Sequence, residues 1–209
     1  MRVRIKICGI TRPADGQQAA ALGADAIGLV FVPGTPRHVE LATATEIIAA
    51  LPPLVTVVAL FLDPTRAEVE RVLAALPIDL LQFHGNEPPE FCRSFGRRYM
   101  KALGMADGAE AAAAQARRYS DAAAFLLDSH ATGQRGGSGQ TFDWQRIPRD
   151  LERPFLLAGG LHAGNVAEAI RQCRPYGVDV SSGVEAAKGI KDAERMAAFI
   201  SEVRRVESE

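Results

Sequence analysis

The 209-residue chain is short of most features that would assign it by composition alone. Its three cysteines, Cys8, Cys92 and Cys173, are odd in number and far apart, which excludes a disulfide framework and the close pairing of a zinc or redox motif. That usage fits a reducing cytoplasm. The four histidines, His38, His84, His130 and His162, are scattered, so no metal is expected. Lys and Arg number 24 against 25 Asp and Glu, and a net charge of −1 supplies no field to draw in nucleic acid or an anionic membrane. No apolar run approaches membrane-spanning length. Met1 to Ile10 alternates charge with apolar residues, unlike the basic and then hydrophobic pattern of a signal peptide. No linker or strong internal repeat divides the chain, so one domain over residues 1–209 is expected. No Gly-x-Gly-x-x-Gly follows the first strand to mark a dinucleotide crevice.

What is present is alternation. Short β-rich runs alternate with Ala-rich amphipathic runs from end to end, the pattern of a parallel sheet with crossover helices. Strands are predicted at Val3–Cys8, Ala26–Phe31, Val55–Leu62, Leu80–His84, Tyr99–Leu103, Ala123–Asp128, Phe155–Ala158 and Val178–Ser181. Helices are predicted at Pro13–Leu22, Thr43–Leu51, Arg66–Leu76, Pro89–Phe95, Ala109–Tyr119, Phe142–Ile147, Asn165–Cys173 and Asp192–Arg204, with Thr11 as a cap for the first. Eight such units predict an α/β fold closed into a (β/α)8 TIM barrel, with an open doubly wound sheet as the rival. His130 to Thr141, rich in glycine, is a lid candidate.

Barrel active sites lie at the carboxyl ends of the strands, so polar residues that end apolar runs are the candidates. These are Cys8, His84, Asp128 and the pair Ser181-Ser182. The strand period of two turns Lys6 and Cys8 inward together, and likewise Gln82 with His84, Leu126 with Asp128, and Asp179 with Ser181. Lys6 and Asp179 fall on strands that become neighbours on closure. They would pair, either as barrel filling or as a cation that lowers the Cys8 thiol pKa. Asp128 is a candidate general acid if it stays protonated, and otherwise a cap or salt-bridge partner. His84 reads equally as a ligand or a core histidine. The glycines of Leu157-Ala158-Gly159-Gly160-Leu161 and of Ser181-Ser182-Gly183-Val184 follow the seventh and eighth strands, the loops that commonly bind phosphate in barrels. Arg37, between Pro36 and His38 after the second strand, is either a surface arginine or an anion-binding one.

With these residues in place, the sequence closely resembles the phosphoribosylanthranilate isomerase family. The resemblance covers essentially the whole chain, through Lys6-Ile7-Cys8-Gly9-Ile10-Thr11, Gly23-Ala24-Asp25-Ala26-Ile27-Gly28, Pro36-Arg37, Gln82-Phe83-His84-Gly85, Leu127-Asp128, Gly136-Gly137-Ser138-Gly139, Phe142-Asp143-Trp144, Leu157-Ala158-Gly159-Gly160-Leu161 and Asp179-Val180-Ser181-Ser182-Gly183-Val184-Glu185. Thr35, Phe83 and Ser138 depart from the family's usual Ser, Leu and Thr. The resemblance implies an Amadori rearrangement in tryptophan biosynthesis, converting N-(5-phosphoribosyl)anthranilate to 1-(2-carboxyphenylamino)-1-deoxyribulose 5-phosphate without cofactor. Asp128 would protonate the furanose ring oxygen and Cys8 would take the proton from carbon 2. Arg37 would hold the anthranilate side, with Lys6, Gln82, His84 and Asp179 around the substrate, and Gly159, Gly160, Ser181, Ser182 and Gly183 on the phosphate.

The rivals are a metal-dependent pentose-phosphate epimerase, a histidine-pathway aminoaldose isomerase, or a non-catalytic barrel that binds a phosphorylated metabolite. The first lacks metal ligands and the second often carries a phosphate site in each half-barrel. The expected partner is a small phosphorylated substrate, and the chain reads as either a monomer or a homodimer.

Overall fold

The computed structural model describes residues 2–129, 141–148 and 150–208. Eight parallel strands close into a barrel in the order β1-β2-β3-β4-β5-β6-β7-β8. They are β1 (Arg4–Cys8), β2 (Ala26–Val30), β3 (Thr56–Phe61), β4 (Leu80–Phe83), β5 (Tyr99–Gly104), β6 (Ala124–Asp128), β7 (Phe155–Leu157) and β8 (Gly177–Val180). Closure is made by β1 against β8, where Lys6 stands in register with Asp179. The open doubly wound alternative is thereby excluded.

Around the barrel lie α1 (Pro13–Ala21), α2 (Leu41–Ala49), α3 (Arg66–Ala75), α4 (Pro89–Arg93), α5 (Ala109–Arg118), α6 (Val166–Cys173) and α7 (Ala193–Glu207). Each predicted strand and all but one predicted helix match within a few residues. The exception is Phe142–Ile147, where only a single 3₁₀ turn forms at Trp144–Arg146. Asp143 accepts from the Gln145 amide and caps a turn that Pro148 stops from growing. The predicted Thr11 cap also fails. Pro13 opens α1, and the residue before a proline is driven to extended backbone, so Arg12 takes the cap position with φ −133° and ψ 140°. The Thr11 hydroxyl donates to the Gly189 carbonyl instead.

The period-two reading decides which side chains meet. Ile5, Ile7, Ile27, Leu29, Phe61, Phe83, Phe125, Leu127, Val178 and Val180 face the helices and form one continuous core with them. Inside the barrel, Val58, Met100, Ala102, Ala124, Leu126 and Leu156 fill the lower layers, and Ala158 packs on them at the cleft. That plug closes the bottom, so any ligand enters only at the carboxyl ends of the strands. A short antiparallel hairpin, β9 (Glu185–Ala187) with β10 (Ile190–Lys191), follows β8 and was not foreseen. Among the described residues no helix is long and apolar enough to cross a membrane.

Candidate active site

One cleft opens at the carboxyl ends of the strands, and it gathers most of the predicted residues. Cys8, Arg37, Gln82, His84, Asp128, Gly159, Gly160, Asp179, Ser181 and Ser182 all line it. Lys6 is not on its surface but lies beneath the floor, nearly inaccessible. Gly183 sits one residue beyond Ser182 in a short 3₁₀ turn, behind the lining. The lid candidate at 130–141 falls outside the described residues except for Thr141.

The cleft has two unlike walls. Val30 at the end of β2 and Val32 beyond it, with Leu60 of β3 and Leu62 just past that strand, make an apolar wall that packs against Cys8. Sequence reasoning named none of these four, although the same alternation that turns Val58 inward also turns Leu60 and Leu62. The opposite wall is backbone. Gly159 has a φ of +80°, a conformation open to glycine, and a Cβ there would fall 2.7 Å from the Ser129 amide and 3.0 Å from Asp128 Oδ1. Next to it Ser181 and Ser182 enter from β8, so the loops after β7 and β8 meet at one place.

Beneath Cys8 the register places Lys6 Nζ 2.7 Å from Asp179 Oδ1. The predicted pair therefore forms, and Lys6 also acts on the Cys8 thiol above it. Burial works to lower the Lys6 pKa, but Asp179 and Cys8 outweigh it and hold the ammonium charged, above its ordinary value. The predicted lowering of the Cys8 thiol is overturned. Burial pushes its pKa up, Lys6 pulls it down, and Asp179 pushes it up again, so the net direction is upward. The cation is present, but the cost of placing a thiolate in a dry floor exceeds its attraction.

On β4, Gln82 Nε2 lies 3.2 Å from His84 Nδ1, and His84 Nε2 lies 3.5 Å from Asp128 Oδ2. His84 thus faces the carboxylate across the cleft rather than the core. Asp128 also accepts from the Ser129 amide at 2.7 Å.

Arg37 is held by Glu185 through two parallel bonds, Nε to Oε1 at 2.8 Å and Nη2 to Oε2 at 2.9 Å. Lys191 Nζ donates to the same Oε1 at 2.9 Å. Burial acts against charge on Glu185, yet the Arg37 and Lys191 hydrogen bonds hold its carboxyl below the usual range. Both partners lie on the unforeseen hairpin, so sequence reasoning gave them no role. Among the described residues no three His, Cys, Asp or Glu side chains gather as metal ligands would.

A sequence model of the family described as "PRAI: N-(5'phosphoribosyl)anthranilate (PRA) isomerase" matches residues 5–202. The chain belongs to this phosphoribosylanthranilate isomerase family. It is 55% identical over 202 residues to N-(5'-phosphoribosyl)anthranilate isomerase of Azotobacter vinelandii, covering 97% of this chain and 98% of that one. The phosphoribosyl anthranilate isomerase of Thermotoga maritima superimposes with a TM-score of 0.89 at 39% identity, covering 97% and 99% of the two chains. A phosphoribosylanthranilate isomerase solved with reduced 1-(o-carboxyphenylamino)-1-deoxyribulose 5-phosphate superimposes at 0.82 and 34% identity, over 97% and 99%. The isomerase family therefore supplies both sequence and barrel for almost every described residue, and the two-walled cleft is the place to look for its chemistry.

Proposed function

We propose that this chain, acting as a single (β/α)8 domain over residues 1–209, isomerises N-(5-phosphoribosyl)anthranilate to 1-(2-carboxyphenylamino)-1-deoxyribulose 5-phosphate in tryptophan biosynthesis. The observation that carries the reading is the single cleft into which Cys8 and Asp128 both project, apolar on one side and built from glycine-rich loops on the other. An arylamine suits the Val32, Leu60 and Leu62 wall. A phosphate suits the amides around Gly159, Gly160, Ser181, Ser182 and Gly183, which can approach an oxyanion because side chains are small or absent there.

Asp128, as the acid, gives its proton to the furanose ring oxygen as the bond from that oxygen to carbon 1 breaks. The nitrogen lone pair forms the iminium. Cys8, as thiolate, then takes the proton from carbon 2, and the electron pair of that bond moves to the iminium and yields an enolamine. Tautomerisation returns a proton to carbon 1 and leaves the ketone at carbon 2. The iminium is the electron sink, so a buried thiolate suffices as the base and no cofactor takes part. Gln82 and His84 orient Asp128, Asp179 and Lys6 support Cys8, and Arg37 takes the anthranilate carboxylate. The protein acts in the cytoplasm as a monomer or homodimer, with its phosphorylated substrate as sole partner.

Cys8→Ala and Asp128→Asn test the reading. Each is expected to lower turnover of the fluorescent substrate by at least about 10²-fold while inorganic phosphate still binds. Either variant turning over at the parent rate removes that residue's role. Metal-stripped protein should be fully active, and the histidine-pathway aminoaldose should not be turned over; the opposite result on either count favours a rival barrel enzyme.

A further inference from the structure

Beside the cleft lies a charge triad whose sum is not zero, and that sum bears on substrate choice. Arg37 alone is a poor receptor for a carboxylate, because Glu185 already offsets its charge through two short hydrogen bonds. Lys191 changes the balance. Its ammonium is inaccessible to solvent and sits 2.9 Å from Glu185 Oε1, so the three groups together carry one net positive charge. Lys191 itself faces no substrate, since it does not line the cleft. Among the described residues Lys6 pairs with Asp179, Arg12 with Asp15, and Arg195 with Asp192. Lys188, at the tip of the hairpin, is exposed and screened by solvent.

Lys191 is also fixed in place from both ends. Its backbone amide donates to Asp15 Oδ2 at 3.0 Å. Its ammonium donates to the Ser181 carbonyl at 3.2 Å and lies 3.4 Å from the Ser181 hydroxyl. One side chain thus ties the turn after β8 to the carboxylate that holds Arg37. Burial lowers its pKa more than the hydrogen bond to Glu185 raises it, so the net direction is downward from the ordinary lysine value.

We propose that Lys191 is a specificity-determining positioning residue, whose charge frees Arg37 from neutralisation by Glu185 so that the cleft selects an arylamine bearing a carboxylate. The inference rests on the reading that Arg37 takes that carboxylate. Without Lys191, Arg37 and Glu185 cancel, and a carboxylate gains no more than a neutral ring. Without Glu185, two cations remain and the preference persists.

The test compares kcat/KM for the phosphoribosyl derivatives of anthranilate and of aniline, which differ only in the carboxylate. Lys191→Met should lower this ratio by about tenfold or more, and Lys191→Arg should keep it. Glu185→Gln, which disturbs the same buried cluster, should leave the ratio level or raised. General loss of packing would move both substrates together and leave the ratio unchanged. Lys191→Gln serves in the same way if the methionine variant does not fold. An unchanged ratio in Lys191→Met or Lys191→Gln, or a fall in Glu185→Gln, overturns the proposal. Arg37→Met separates the premises. If it lowers the ratio while the Lys191 variants do not, Lys191 alone is wrong; if it leaves the ratio unchanged, the assignment of Arg37 fails and the proposal with it.

Discussion

Cys8 sits against a cation, yet its pKa lies above the ordinary thiol value, because the dry floor disfavours a thiolate more than Lys6 favours it. If the thiolate is the base, the sign follows. Its fraction grows as pH rises toward a pKa above the ordinary thiol value, so kcat/KM should climb through neutrality into the alkaline range. Lys6→Met removes the largest downward pull on that pKa, leaving Asp179 to push it further up. The rising limb should therefore move to higher pH, and a pH-rate profile of the two proteins checks it. The same variant strands Asp179 in the barrel, which should cost roughly 3–5 kcal/mol in urea unfolding. A limb that stays in place or moves down would remove Lys6 from the account of Cys8. The Lys6–Asp179 pairing was legible in the sequence because strand period and barrel closure fix who meets whom. The net direction of the thiol pKa was not, because it depends on how dry the floor is, and no pattern of residues states that.

At the scale of elements, the meeting of β1 and β2 depends on a missing side chain. A Cβ on Gly28 would fall 2.7 Å from Cys8 Sγ, 3.1 Å from Lys6 Nζ and 3.2 Å from the Cys8 Cα. The last is backbone and cannot swing aside, so the strand or the thiol must shift. Gly28→Ala is expected to lower kcat at least about tenfold while the far-ultraviolet circular dichroism of the barrel is retained, since a displacement of about 1 Å at the reacting group is costly. Parent-level kcat would mean that the thiol need not be held where it is. The strands were legible because their apolar runs are short and clearly alternating. The β9–β10 hairpin was not. Its pairing spans only Glu185–Ala187 and Ile190–Lys191, too short for a period, and it is stabilised by contacts to Asp15 and Arg37 that lie far away in sequence. Glu185 and Lys191 were missed for that reason, and not for want of chemical character. The lost helix at Phe142–Ile147 is a similar case: an apolar spacing over six residues is compatible with a single turn as well as with a helix.

For the whole molecule, the repeated strand and helix units made the barrel readable, and the barrel then made the site readable. Its interior is packed below Cys8 and Asp128 and open above them, so function is confined to one end. Residues at the ends of β1, β4, β6 and β8 were found by that rule alone. The roles given to them need a ligand in the cleft, and the most direct measurement is a crystal structure of this protein with reduced 1-(o-carboxyphenylamino)-1-deoxyribulose 5-phosphate. The account predicts the phosphate on the loops after β7 and β8, the aryl carboxylate on Arg37, and carbon 2 about 3–3.5 Å from Cys8 Sγ with Asp128 on the ring-oxygen side. A ligand seated with carbon 2 turned away from the sulfur, or with its phosphate at Arg37 and its ring toward Gly159, would contradict it.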